Sequence, residues 1–170
     1  MSEIIFRPVE QGYLGALTDI YNHYVSETAV TFDVEPRTLE QRQAWLDGFA
    51  ESGRYRCFVA AKDGVAIGWA SSHRYNERAA YDTTVLTSIY LKPGVTGQGI
   101  GRRLYSVLFD ALKGEDIHRA FGGISLPNEA SIRLHESLGF ERVGVYREVG
   151  RKFGRYWDVA TYLRSLGNQP

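Results

Sequence analysis

The segment Gly97-Gln98-Gly99-Ile100-Gly101 constrains this chain more than any other. It follows a β-branched and aromatic run, residues 83–91. It opens a stretch in which Ile100, Leu104, Val107, Leu108 and Ala111 fall on one helical face. A strand, a glycine loop and an amphipathic helix in that order call for an α/β arrangement. Glycines let the backbone approach a ligand with no side chain in the way. The first N–H groups of the helix lack internal partners, and with the helix dipole they favour an anion. Phosphate or pyrophosphate is the natural occupant, and Arg102 and Arg103 add positive charge in the first turn. A glycine-rich turn that only reverses the chain stays open as the plain alternative.

Two well-known phosphate loops fit poorly. A nucleotide triphosphatase loop ends Gly-Lys-Ser/Thr, and Gly101-Arg102-Arg103 does not. A dinucleotide-binding fold places an acid at the end of the next strand to hold ribose, and that strand ends Ile124-Ser125-Leu126.

The rest of the chain reads by periodicity. Residues 4–7 form a β-rich run stopped by Pro8. Residues 13–27 carry Leu14, Leu17, Ile20, Tyr21 and Tyr24 at helical spacing. Residues 28–33 are β-branched and aromatic, ending before Pro36. Thr38 and Gln41 make a capping-box pattern for a helix over 39–52. Residues 57–61 and 65–73 are strands around Asp63-Gly64, a strong hairpin signal. Strands follow at 83–91 and 121–126, a helix at 128–138, and strands at 141–149 and 156–163. The expected order is β-α-α-β-β-β-α-β-α-β-β, a mixed α/β sheet rather than a strictly alternating one.

Length and composition narrow the class. At 170 residues and 44% hydrophobic content, one domain over residues 1–170 with a full core is expected. Lys plus Arg is 20 and Asp plus Glu is 20, so no whole-chain basic footprint points to nucleic acid. Cys57 is the single cysteine, which excludes an internal disulfide and a cysteine-based zinc site. No apolar run approaches a membrane span, and Met1-Ser2-Glu3 lacks the basic start of a signal peptide. A soluble, cytoplasmic protein with no nucleic-acid or membrane partner is expected.

The glycine segment and a second one resemble a family. GCN5-related N-acetyltransferases (GNAT) bind the acetyl-CoA pyrophosphate with a Gln/Arg-x-x-Gly-x-Gly/Ala loop, matched by 96–101 except that Thr96 stands at the Gln/Arg position. The run from Asn128 to Phe140 is similar to the family's Asn-x-x-Ala-x-x-Leu-Tyr-x-x-x-Gly-Phe segment beside the pantetheine arm. Tyr21-Asn22-His23-Tyr24-Val25, Thr31-Phe32-Asp33 and Lys152-Phe153-Gly154-Arg155-Tyr156-Trp157-Asp158 resemble the phosphinothricin and methionine sulfoximine acetyltransferases. These acetylate the α-amino group of small glutamate-like amino acids. The resemblance implies a GNAT-type, mostly antiparallel sheet flanked by helices, acetyl-CoA as co-substrate, no metal, a small-molecule amine acceptor and a homodimer.

It also implies site residues. Thr96, Gly97, Gln98, Gly99, Ile100, Gly101 and Arg102 would hold the pyrophosphate, and the backbone of Ile89, Tyr90 and Leu91 the pantetheine amides. Asn128 and Ser131 would sit on the cofactor. His135 occupies the position of the usual Tyr that protonates the departing thiolate, and imidazole can carry that proton. A structural histidine bonded to backbone is the alternative. Ser88 is placed with His135 at the reacting centre. Phe32, Arg78, Tyr81, Leu86 and Thr87 are placed on the acceptor side, Arg78 because an arginine fork suits a carboxylate. Related enzymes carry Glu at the position of Leu86, so the catalytic base is missing there. His23, His73 and His118 show no metal-ligand spacing and read as surface or structural. An acetyltransferase for a polyamine or protein N-terminus, or a non-catalytic acyl-CoA-binding module, are the alternatives. Cys57 lies in a core-like strand, which argues against an acyl-cysteine route.

Overall fold

The computed structural model describes residues 3–167, so Met1 and Ser2 of the N-terminal reading lie outside them. Seven strands make one sheet: β1 (Ile4–Pro8), β2 (Cys57–Lys62), β3 (Val65–Arg74), β4 (Thr84–Leu91), β5 (Arg119–Ser125), β6 (Glu141–Lys152) and β7 (Arg155–Ser165). Their order is β1-β2-β3-β4-β5-β7-β6. Every pairing is antiparallel except β4 with β5. Four helices cover the faces: α1 (Leu14–Glu27), α2 (Leu39–Leu46), α3 (Ile100–Ala111) and α4 (Glu129–Ser137). The element order is the expected one, with two short 3-10 turns added at Gln11–Tyr13 and Ala79–Tyr81.

Burial explains the unbroken apolar run of β2, because both faces of that strand are covered. Phe58 and Ala60 join the core under α3, whereas Cys57 and Val59 join the core under α1 with Leu17, Ile20 and Trp69. The α3 stripe supplies Leu104 and Leu108, both with no exposure, and Tyr105 beside them is equally buried. Asp63 and Gly64 both take positive φ, 51° and 79°, closing the β2–β3 hairpin.

Two element boundaries are corrected, at the end of α2 and at the β6–β7 turn. Helix α2 stops at Leu46 instead of 52, because the amides of Gly48 and Phe49 bond back three residues to Trp45 and Leu46 in tight closing turns. Phe49 keeps its apolar contact with Trp45 all the same, at 5.0 Å between rings. Residues 28–33, β-branched and aromatic but given no strand in the expected order, form a loop in which the Thr28 and Thr31 hydroxyls bond nearby backbone. Strands β6 and β7 run on to a two-residue turn, Phe153-Gly154, with φ of 53° and 73°.

One irregularity positions everything that follows. Strands β4 and β5 pair only from Thr84–Arg119 to Leu86–Phe121. Beyond Leu86, β4 stays with β3 and β5 stays with β7, so the sheet splits into a V. The Thr87 hydroxyl, 3.1 Å from the Phe121 carbonyl oxygen, donates across the vertex and pins the two strands where they part.

Candidate active site

The V opens onto the N-terminus of α3. Gly99 is the N-cap residue with φ of 75°, and Gly97 has φ of 80°. A side chain on either would meet nothing within 4 Å, so the loop backbone faces open space. A cleft of about 450 Å³ runs from this loop along β4, lined by Ile89, Tyr90, Leu91, Thr96, Gly97, Gly99, Ile100, Gly101, Arg102, Asn128, Ser131 and Leu134. Glycine backbone at one end and apolar side chains along the walls suit an anionic head on a thin, mostly apolar arm.

Two loop residues face away from the cleft, and a third that lines it has a packing role as well. Gln98 is exposed and does not line the cleft. Arg103 turns away to stack its guanidinium on Phe6, 4.3 Å from the ring centroid, leaving Arg102 as the first-turn cation on the cleft. Gly101 is buried, and a Cβ there would come within 3.1 Å of Leu134, so its bareness lets α3 pack closely on α4.

Along β4 the side chains alternate as the sequence requires. Val85 and Thr87 are buried toward α3, whereas Tyr90 joins Tyr21, Tyr24 and Trp69 in an aromatic cluster on the α1 side. The Leu91 carbonyl accepts a 2.6 Å bond from the Tyr24 hydroxyl.

His135 lies at the back of the V. Asn128 caps α4 by accepting from the Ser131 amide at 3.2 Å. One turn on, His135 Nδ1 is 2.8 Å from the Ser131 carbonyl oxygen and can only donate to it. That fixes the tautomer and leaves Nε2 to accept from the Tyr105 hydroxyl at 3.2 Å. Gly122 makes room for the ring, since a Cβ there would lie 3.1 Å from it. Burial pushes the imidazole pKa below its usual value, partly offset by the bond to Ser131. A small cavity of about 60 Å³ joins His135, Tyr105, Thr87, Ser88, Asn128 and Ser131. Tyr105 was not among the expected site residues. Its signal was a hydroxyl on a fully apolar helix face, which a buried position obliges to find a partner.

The acceptor side is built by loops. Between α1 and α2, the Tyr21 hydroxyl donates to Asp33 at 2.7 Å and Arg37 pairs with the same carboxylate. Arg37, above all, holds the Asp33 pKa below its ordinary value. The buried Lys152 ammonium donates to the Thr31 carbonyl at 2.8 Å, tying this loop to β6. Phe32 packs against Gly150, where a Cβ would come within 2.1 Å of the ring. Across the V, Tyr75 packs on Phe121 and Tyr81 packs on Tyr75. Arg78 starts the 3-10 turn there, is exposed, and its guanidinium has no partner among the described residues.

The acetyltransferase (GNAT) family model matches residues 17–140. The chain belongs to this family. A phosphinothricin N-acetyltransferase from Streptomyces coelicolor is 54% identical over 167 residues, 97% of this chain and 98% of that one. An L-methionine sulfoximine/L-methionine sulfone acetyltransferase from Salmonella typhimurium is 38% identical over 85% of this chain and 84% of its own. A GNAT-superfamily phosphinothricin acetyltransferase from Sinorhizobium meliloti, solved in complex with acetyl-CoA, superposes with a TM-score of 0.91 at 31% identity, covering 96% of this chain and 89% of that one. Among the described residues no helix is long and apolar enough to cross a membrane.

Proposed function

We propose that this GNAT protein transfers the acetyl group of acetyl-CoA to the primary amine of a small amino-acid-like acceptor of the phosphinothricin or methionine sulfoximine type. We take it to act as one domain over its length, in the cytoplasm, as a homodimer. The observation that carries the reading is the V between β4 and β5, which opens onto a glycine-walled anion site at the N-terminus of α3. The names of the relatives supply the acceptor class.

In this reading the α3 N-terminus and Arg102 hold the pyrophosphate, and the free edge of β4 beyond Leu86 offers backbone groups to the amide-bearing arm. Acetyl-CoA supplies an activated acyl carbon as its thioester. Asn128 and Ser131 border the thiol end. His135 has both nitrogens engaged, Nδ1 held by the Ser131 carbonyl, so its proton traffic runs through the Tyr105 hydroxyl on Nε2 rather than from a resting imidazolium. Arg78 takes the acceptor's carboxylate, with Phe32, Tyr81, Leu86 and Ser88 around it.

Release of CoA thiol, followed over a panel of amines, tests this reading. Arg78→Ala should cost about 2 kcal/mol in kcat/KM for α-amino acids and leave amines without a carboxylate unchanged. Equal losses for both classes would remove Arg78 from the acceptor site. Binding of acetyl-CoA with no thiol release for any amine would favour a non-catalytic module.

A further inference from the structure

Three cross-strand pairs line the α1 side of the sheet where β3 meets β4: Trp69 with Tyr90, Ser71 with Ser88, and His73 with Leu86. Alternate residues of a strand share a face, so these six make one row leading down to the vertex of the V. Trp69 and Tyr90 stack at 4.9 Å. Below them Ser71 is fully buried, and its hydroxyl lies 2.8 Å from His73 Nε2. Residues directly opposite in an antiparallel pair hold their Cβ atoms ~4.5–5.5 Å apart. No direct bond joins the Ser71 and Ser88 hydroxyls, whose residues stand opposite each other across the ladder, so a single bridging water would complete the row. Ser88 also lines the cavity between the parted strands. His73 thus stands beside Leu86, the position whose side chain cannot accept a proton.

We propose that His73, reached through Ser71 and Ser88, receives the proton that the attacking amine gives up, so that β3 supplies the base that position 86 lacks. This rests on the acetyl-transfer reading above. The amine nitrogen bonds to the acetyl carbon as the carbon–sulfur bond breaks. One N–H proton passes to the Ser88 oxygen, the Ser88 proton through the bridging water to Ser71, and the Ser71 proton to Nε2. The imidazolium returns a proton to water, and the departing thiolate takes one from water, leaving amide and thiol.

The ring's surroundings suit this task. Trp45 from α2 and Phe49 just beyond it pack on His73, Phe49 at 5.0 Å. Arg42, also on α2, is the charged group that bears on it, with its own guanidinium stacked 3.7 Å from the Trp45 ring. On the strands it faces Ser71 and Leu86. Burial first, and Arg42 second, hold its pKa down at about 4. Nε2 is therefore an unprotonated acceptor throughout the range in which amines react. A nitrogen forming its bond to carbon is far more acidic than a free ammonium, so a weak base is sufficient.

The test follows CoA thiol release by wild type, His73→Gln, Ser71→Ala, and His73→Gln combined with Leu86→Glu. The expected result is a fall in kcat of ~10²-fold for His73→Gln and for Ser71→Ala, with KM for both substrates within about twofold. Leu86→Glu in the His73→Gln background should recover about tenfold or more and add an acid limb to the pH profile. A kcat for folded His73→Gln within about twofold of wild type overturns the relay. If the substitutions unfold the chain, the wild-type rate in mixtures of H₂O and D₂O decides. A curved dependence, from more than one proton in flight, supports the relay, and a linear one overturns it. A wild type that binds acetyl-CoA but acetylates no amine defeats the functional reading itself, and the relay with it.

Discussion

Glycines that look alike in the sequence do different work around the cleft. Gly99 combines positive φ with open space at the helix N-terminus, as an anion site needs. Gly99→Val should weaken acetyl-CoA binding at least tenfold in calorimetry while circular dichroism shows a folded chain, because a β-branched residue strains that φ and blocks the approach. Gly101 reads the same in the motif, yet it serves α3–α4 packing against Leu134. Spacing could not separate the two, because the distinction lies in what each Cβ would touch. Histidines divide in a similar way. His135 was legible from its place in the α4 segment, whereas His73 was not, because its partners lie on other strands and on α2. Burial depresses both pKa values, that of His73 to about 4. Unfolded imidazoles take up protons as the pH falls through ~6.5. The folded ones resist, so the unfolded state binds more protons and stability falls with pH. Urea melts should lose stability between pH 7 and pH 5, on the order of 2 kcal/mol from His73 alone. His73→Gln should remove that share of the slope, and an unchanged slope would show the ring free to charge in the native state.

Order and type of the main elements were readable because their apolar spacing matches what packs. A boundary failed where local bonds outweighed the pattern, at the end of α2. The Phe153-Gly154 turn was hidden because phenylalanine is not a turn residue by propensity. The α1–α2 loop shows why an acceptor wall is hard to foresee: its anchor is a bare position 118 residues further on, Gly150 under Phe32. Gly150→Ala would place a methyl inside the Phe32 ring, so the ring must leave and the Thr31–Lys152 bond must stretch. The expected outcome is a several-fold rise in KM for the acceptor and a smaller loss of acetyl-CoA affinity, because Val30 of the same loop also lines the cleft at the glycine loop. Equal weakening of both substrates would mean that Phe32 supports the whole cleft.

At the scale of the whole molecule, the sheet has two edges and they are unlike. β1 is short and ends in Pro8, which discourages further pairing. β6 is long, exposed along most of its length, and carries Val143, Tyr146 and Val149 at 57, 61 and 58% exposure, with Phe153 and Tyr156 at its turn equally open. An apolar edge of this kind invites association unless something covers it. The same strand carries Glu141 and Glu148 beside Arg142, Arg147 and Arg151, so a second copy running antiparallel in the register that puts Glu141 opposite Arg151 would set opposite charges against each other. Covering β6 in this way would leave the V between β4 and β5 open, since β7 stands between. Sedimentation equilibrium at micromolar concentration should therefore give about twice the 19.2 kDa chain mass. Val143→Glu with Val149→Glu should return it to the single-chain value without loss of the fold, because both side chains already face solvent in one copy. A wild-type mass of one chain would show that β6 stays bare, and a dimer untouched by the two glutamates would move the interface elsewhere.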